Sequence, residues 1–206
     1  MQFFAHFSRF CASKGGFMIK NIAVLASGSG TNAENIVHYF RQRETAVVSL
    51  ILTNRRQALV RERAERLQVP CFWLPKEDWE DGGPVLEKLR AYQVDFVVLA
   101  GFLARVPDNV LHAYPERMVN IHPSLLPKFG GKGMYGDRVH QAVLEAGEQE
   151  SGITIHYTNE RYDEGAVICQ QRCPVLSDDT PDTLAARIHQ LEYTYYPRVI
   201  EQLLAR

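Results

Sequence analysis

Five consecutive apolar residues, Ile22-Ala23-Val24-Leu25-Ala26, run straight into Ser27-Gly28-Ser29-Gly30-Thr31-Asn32, and a helical stretch to about Arg41 follows. An apolar run bounded by glycine reads as a strand buried on both faces, the kind found in parallel sheets covered by helices. The pattern then repeats. A second apolar run spans Ala46–Thr53, and a charged helix over Leu59–Leu67 stops at Val69-Pro70. After it come a short strand, Cys71–Leu74, a helix over Val85–Tyr92 behind Gly82-Gly83, and a buried strand, Asp95–Ala100. Strands alternating with helices at this spacing predict βαβ units and a parallel sheet.

Beyond Gly101 the grammar changes. Pro107 opens a short helix, and Met118–His122 reads as one more strand. A Pro/Gly-rich loop fills Pro123–Gly136 before a helix over Asp137–Glu145. The segments Gly152–Thr158 and Ala166–Cys173 read as an antiparallel strand pair added to the sheet. The last helix starts at Thr180-Pro181, a cap residue followed by proline in the first turn. Pro197 is expected to kink or interrupt it. No internal repeat or linker divides the chain. The expected fold is a single α/β domain: a mostly parallel twisted sheet, Rossmann-like in its N-terminal half, with helices on both faces and an antiparallel pair in the C-terminal half. Residues 1–17 read as a disordered extension or an upstream start, outside a domain spanning 18–206.

Composition narrows the function classes. A net charge of -1 over 206 residues offers no basic footprint for nucleic acid, so an anionic small molecule must be held by local groups. Four cysteines, Cys11, Cys71, Cys169 and Cys173, form no C-x-x-C pair. They read as reduced thiols of a cytoplasmic protein, with neither a disulfide framework nor a metal site. No apolar run approaches the roughly 18 residues of a membrane span. His112, His140 and His189 fall on separate helical elements and read as surface residues. The expected assembly is a monomer or a homodimer.

Gly28-Ser29-Gly30-Thr31-Asn32-Ala33 fits G-x-G-x-x-G/A between a strand and a helix, where free N–H groups at the helix start meet an anion. A dinucleotide fold wants an acid at the end of the second strand. This chain has Thr53-Asn54-Arg55-Arg56 there, which argues against NAD. The two arginines leave NADP as an alternative, although they also read as a solvated helix start. A loop of Ser, Thr and Asn suits a single phosphate monoester.

The segment Val119-Asn120-Ile121-His122-Pro123-Ser124 carries the most chemistry. On a strand, Asn120 and His122 share one face while Val119 and Ile121 enter the core. Pro123 ends the strand, so the pair sits at its C-terminal edge, where open α/β sheets bind ligands. The pair alone leaves a structural and a catalytic histidine equally open. In Ile153-Thr154-Ile155-His156-Tyr157 the same alternation sets Thr154 and His156 opposite the isoleucines. The turn Arg161-Tyr162-Asp163-Glu164-Gly165 then offers Asp163 as a partner that would orient His122 and raise its pKa, with Glu164 as a solvated competitor.

The stretches IAVLASGSGTN, VVLAGFLARV, VNIHPSLLPKF and GITIHYTNERYDEGAVICQ, in this order and spacing, resemble the phosphoribosylglycinamide formyltransferases, folate-dependent enzymes of purine synthesis. The resemblance covers Lys20 to the C-terminus. It implies 10-formyltetrahydrofolate as donor and the amine of a ribosyl phosphate as acceptor, without a metal. It implies Asn120, His122 and Asp163 as the catalytic trio, and Gly28, Ser29, Gly30, Thr31 and Asn32 as the phosphate loop. Glu192 would contact the acceptor. Folate binding would fall to Leu103, Ala104, Arg105, Val106, Asn120, Thr154, His156 and Thr158, with the turn Thr158–Asp163 closing the pterin pocket. In the implied chemistry, Asn120 donates to the developing oxyanion while Asp163 keeps His122 protonated.

The chain departs from the family pattern in four places. The loop Lys128–Gly136 is several residues longer, and a D-G-G-P turn is replaced by Asp163-Glu164-Gly165-Ala166. Near Gly82-Gly83 no arginine stands ready for the folate tail, and Arg105 comes one place late. The long loop reads either as a mobile lid or as an idle insertion. A folate formyl hydrolase shares the trio but usually adds an N-terminal domain. A methionyl-tRNA formyltransferase needs a C-terminal domain and a basic surface. An NADP-binding reductase or nucleotide-binding protein would explain the glycine loop and leave Asn120, His122 and Asp163 without a role.

Overall fold

The first apolar run is strand β1 (Lys20–Leu25), and the stretch behind the glycines is helix α1 (Thr31–Arg43). They open an alternating series: β2 (Ala46–Thr53), α2 (Val60–Arg66), β3 (Cys71–Trp73), α3 (Lys76–Asp81), α4 (Gly83–Ala91), β4 (Phe96–Leu99), α5 (Asp108–Ala113) and β5 (Met118–His122). Helix α6 (Asp137–Glu145), strands β6 (Glu150–Tyr157) and β7 (Val167–Pro174) and helix α7 (Pro181–Leu204) complete the chain. This computed structural model describes residues 19–206, and the extension read over residues 1–17 lies outside the described residues.

One seven-stranded sheet runs in the order β3-β2-β1-β4-β5-β6-β7. The first five strands are parallel. β6 runs antiparallel to β5, and β7 antiparallel to β6. The single α/β domain with a parallel Rossmann-like half and an antiparallel C-terminal pair is therefore the architecture observed. The strand order reverses between β1 and β4, and ligands bind at such a switch point, outside the carboxyl ends of the strands.

Both faces of the sheet are apolar, and strand alternation divides them. Ile22 and Val24 pack with Ile36 and Phe40 of α1, Val60 and Ala64 of α2, Val143 of α6, and Leu184, Ile188 and Tyr196 of α7. Ala23 and Leu25 point the other way, toward Trp79 of α3, Val85 and Leu89 of α4, and Val110 of α5. Val119 and Ile121 of β5, with Ile153 and Ile155 of β6, join the first cluster. The opposite face of β5 and β6 is left to polar side chains and loops. The cleft forms there.

Two expectations need correction. Helix α3 has no counterpart in the sequence reading, since it is one turn and a half with only Trp79 buried. Helix α7 runs unbroken through Pro197. Proline at that position deprives the Tyr193 carbonyl of its N–H partner four residues on, and Asn35 Nδ2 of α1 donates to it instead, at 3.0 Å. The Tyr196 hydroxyl is fully buried and donates to the Leu99 carbonyl at 2.8 Å, with the Val119 carbonyl 3.2 Å away. Through it α7 is fastened to β4 and β5 directly behind the site.

Candidate active site

The turn between β1 and α1 requires glycine at position 30. Gly30 has φ +78°, and a Cβ there would lie 2.4 Å from Cγ2 of Val60. No side chain caps α1, so its first N–H groups have no partner inside the helix and carry the positive end of its dipole. In the first turn, Asn32 Nδ2 donates to Glu192 Oε2 at 2.8 Å, and Asn32 Oδ1 is buried without a hydrogen-bond partner among the described residues. Burial pushes the Glu192 carboxyl up, against the opposing pull of Asn32 and His189. The loop and the final helix, expected to serve one ligand, are thus joined by a direct hydrogen bond.

Ser27, fully buried, ties this loop to the next segment of the site. Its hydroxyl donates to Asn54 Oδ1 at 2.6 Å and accepts from the Leu103 N–H at 2.9 Å. Leu103, Ala104, Arg105 and Val106 line a cleft of about 330 Å³, with Thr158 to Asp163 among its other lining residues and Asn120 and His156 alongside. A volume of that order suits a bicyclic ring system. Arg105 pairs with Asp108.

The polar cluster is built by cross-strand pairing. Asn120 stands opposite His156, and His122 opposite Thr154, so all four share the face away from α7. Asp163 arrives from the turn after β6. Its Oδ1 lies 3.3 Å from Asn120 Nδ2 and 3.6 Å from His156 Nε2, and its Oδ2 lies 3.4 Å from His122 Nδ1. Asn120 Nδ2 also lies 3.2 Å from His156 Nε2. The predicted trio therefore converges, with His156 as a fourth member.

Hydrogen bonding fixes where the protons sit. His122 Nε2 lies 2.7 Å from the Phe129 carbonyl, which only accepts, so Nε2 carries a proton and Nδ1 is left facing Asp163. His156 Nδ1 meets the Tyr157 carbonyl at 2.8 Å in the same way. Burial pushes Asp163 up, but the adjacent His156 and His122 rings and the Gly131 N–H outweigh it and hold the carboxyl below its ordinary value. His122 departs from expectation. Burial pulls its pKa down by more than Asp163 and the Phe129 carbonyl raise it. At 4% exposure the ring's desolvation dominates and holds it below the ordinary histidine value.

Other placements also depart from the sequence reading. Thr154, expected beside the folate, turns its hydroxyl to the loop after β5. It donates to the Ser124 carbonyl at 2.7 Å and accepts from the Leu126 N–H at 3.0 Å and Gln170 Nε2 at 2.9 Å. His122 does not line the cleft and reaches it through Asp163. His140, read as a surface residue, is buried at 2% exposure with Nδ1 unpartnered among the described residues. The long loop is not idle. Besides the Phe129 carbonyl on His122, its Gly131 N–H donates to Asp163 Oδ2 at 2.9 Å, and Lys132, Met134 and Tyr135 line the cleft. Backbone groups carry no side-chain signal. The one clue was that this loop starts directly behind His122. Among the described residues, no group of three or more His, Cys, Asp or Glu could hold a metal ion, and no helix is long and apolar enough to cross a membrane.

Residues 20–200 match the protein family described as formyl transferase. The chain belongs to that family. Within the formyl transferases it is 41% identical over 187 residues to "Phosphoribosylglycinamide formyltransferase, chloroplastic" of Arabidopsis thaliana, over 88% of this chain and 64% of that one. The enzyme of the same name from Bacillus subtilis is 39% identical over 191 residues, 90% of this chain and 95% of that one. The crystal structure of phosphoribosylglycinamide formyltransferase from Bacillus halodurans superposes with a TM-score of 0.82 at 35% identity, over 91% of this chain and 96% of that one. The chain thus spans less than two thirds of the plant relative and nearly all of these two bacterial ones.

Proposed function

We propose that this chain transfers the formyl group of 10-formyltetrahydrofolate to the amine of 5-phosphoribosylglycinamide in purine synthesis. The observation that carries the reading is the convergence of Asn120, His122, His156 and Asp163 at the cleft, in a chain matching the formyl transferase family from residue 20 to 200. A plain nucleotide-binding protein has no use for that cluster.

The cleft fits a pterin by size, with Leu103, Ala104 and Arg105 along one side and apolar walls from Leu99, Phe102 and Val106. When bound, the folate supplies a formyl carbon attached to nitrogen. The acceptor amine forms a bond to that carbon, the folate nitrogen leaves, and one proton passes from the first nitrogen to the second. Asn120 is the donor to the formyl oxygen as negative charge grows there, releasing its 3.3 Å contact with Asp163; one such donor stabilises the transition state by roughly 3–4 kcal/mol. Asp163 faces the cleft and takes the amine proton, directly or through a water. His122 Nδ1 receives or returns that proton behind it, while Nε2 stays fixed on the Phe129 carbonyl. The first N–H groups of α1 hold the phosphate, and Glu192 with Asn32 holds the ribose hydroxyls.

The reading extends to a cytoplasmic enzyme acting as a monomer or homodimer on small molecules. The test is formyl transfer followed with and without the ribosyl-phosphate amine. Release of tetrahydrofolate must depend on that acceptor and match formylated product one for one. Release without acceptor would make the chain a hydrolase.

A further inference from the structure

Helix α2 packs against the glycine turn through three contacts, and two of them bear on backbone carbonyls. The Val60 N–H donates to the Gly28 carbonyl at 3.1 Å. Arg63 Nε donates to the Ser29 carbonyl at 2.7 Å, and its Nη1 pairs with Glu34 of α1. The third is Val60 itself, whose side chain occupies the space a Cβ at Gly30 would need.

A trans peptide is planar, with its C=O and the following N–H pointing in opposite directions. A partner that holds the Gly28 carbonyl toward α2 therefore turns the Ser29 N–H away from α2. Arg63, holding the Ser29 carbonyl, turns the Gly30 N–H the same way. Gly28 and Ser29 are exposed, so nothing else packed on the loop fixes these peptide planes, and glycines on either side of Ser29 lower the barrier to rotating them. Arg63 is about one quarter exposed, and its guanidinium reaches both partners at once. A planar fork can do this; a lysine ammonium cannot hold two such partners in fixed directions.

We infer that Arg63 is a positioning residue for the acceptor's phosphate, acting through the Ser29 peptide and touching no substrate itself. This rests on the reading of the glycine turn as the phosphate site. Removing the guanidinium frees the Ser29 carbonyl to rotate and takes the Gly30 N–H out of the anion cradle. The loss falls on binding of the phosphorylated substrate, not on the chemical step or the folate.

The experiment compares wild type, Arg63→Met and Arg63→Lys, with inorganic phosphate as a competitor against the acceptor. Wild type should show competition by phosphate. Arg63→Met should raise the acceptor KM about 10- to 100-fold, the worth of one hydrogen bond to a charged group, and lose most of the phosphate competition. Its kcat at saturating acceptor should stay within about twofold, and its affinity for a folate analogue, which also reports folding, should be unchanged. Arg63→Lys should restore melting temperature through Glu34 but leave the acceptor KM raised. If lysine restores both, Arg63 is only an ion-pair partner and the inference is wrong. Phosphate competition retained in Arg63→Met would overturn the inference and leave the phosphate site standing. No competition in wild type would overturn both.

Discussion

Asp163→Asn is the substitution that most sharply tests the polar cluster, because it is nearly isosteric and its consequences can be worked out atom by atom. In the native protein Oδ2 accepts from the Gly131 N–H and Oδ1 faces Asn120 Nδ2. An asparagine has one oxygen. With that oxygen on Gly131, its NH2 opposes the Asn120 NH2; flipped, its NH2 opposes the Gly131 N–H. Either way one buried donor loses its acceptor, at a cost of about 1–3 kcal/mol in stability. The variant should fold but melt earlier. Turnover should fall by about 10²–10⁴, with KM for both substrates changed little. The pH profile carries a second signature. Neutral His122 is the active form, so kcat/KM should fall on the acid side with a midpoint below the ordinary histidine value of about 6.5. Asp163 raises the His122 pKa, so its removal should move that acid limb to still lower pH. Steady-state kinetics between pH 5 and 9, with urea unfolding at pH 7.5, would measure all three effects. A variant within tenfold of the native rate, or an acid limb displaced upward, would refute the assignment of Asp163 and His122 as a proton-handling pair.

Other substitutions read out separate parts of the site. Gly165→Ala should abolish most activity, since a Cβ there would sit 1.6 Å from the Tyr157 carbonyl and displace the turn that carries Asp163; circular dichroism with activity would register loss of rate in a folded protein. Thr154→Val is isosteric but strips three hydrogen bonds from a fully buried site, so urea unfolding should show a loss of about 2–4 kcal/mol. Glu192→Gln removes a carboxyl that burial already pushes toward its neutral form. The melting temperature should hold or rise, while the acceptor KM increases at least about tenfold, and calorimetric titration with the acceptor would check it.

What could be read from the chain divides along physical lines. β1 and its glycine turn were legible because their causes are local: a run buried on both faces, and a backbone at φ +78° that a side chain would strain. That Asn120 goes with His122, and Thr154 with His156, on the face of each strand away from the core was legible because strand alternation is a strict period; their common face needed the pairing of β5 with β6. Which loop covers that face was not. Thr154 and His156 are equivalent by alternation, yet one braces Ser124 and Leu126 while the other lines the cleft. Burial of His140 depends on how α6 packs on α7, and the charge of His122 depends on desolvation outweighing a visible partner. Pro197 is a case of tertiary rescue, with Asn35 supplying a donor that no pattern around residue 197 foretells.

The reversal of strand direction at β6 explains why Asp163 needs its particular turn. Because β6 runs antiparallel, Tyr157 pairs with Val119, and the chain leaves the strand at the end of β5 opposite to His122. Reaching Asn120 and His122 requires the segment 158–166 to double back over the sheet. Thr158 anchors its start by donating to the Met118 carbonyl at 3.0 Å, and Ala166 closes it by accepting from the Tyr157 N–H at 3.0 Å. Gly165 lets the returning chain lie against Tyr157. The reversal between these points falls on Asp163 itself, at φ +58°, in the left-handed region that β-branched and bulky residues avoid and that Gly, Asn and Asp enter most easily. Of those three only aspartate is a carboxylate. Backbone geometry and proton chemistry therefore select the same residue at 163, and a glutamate moved there would satisfy the charge while straining the turn that aims it.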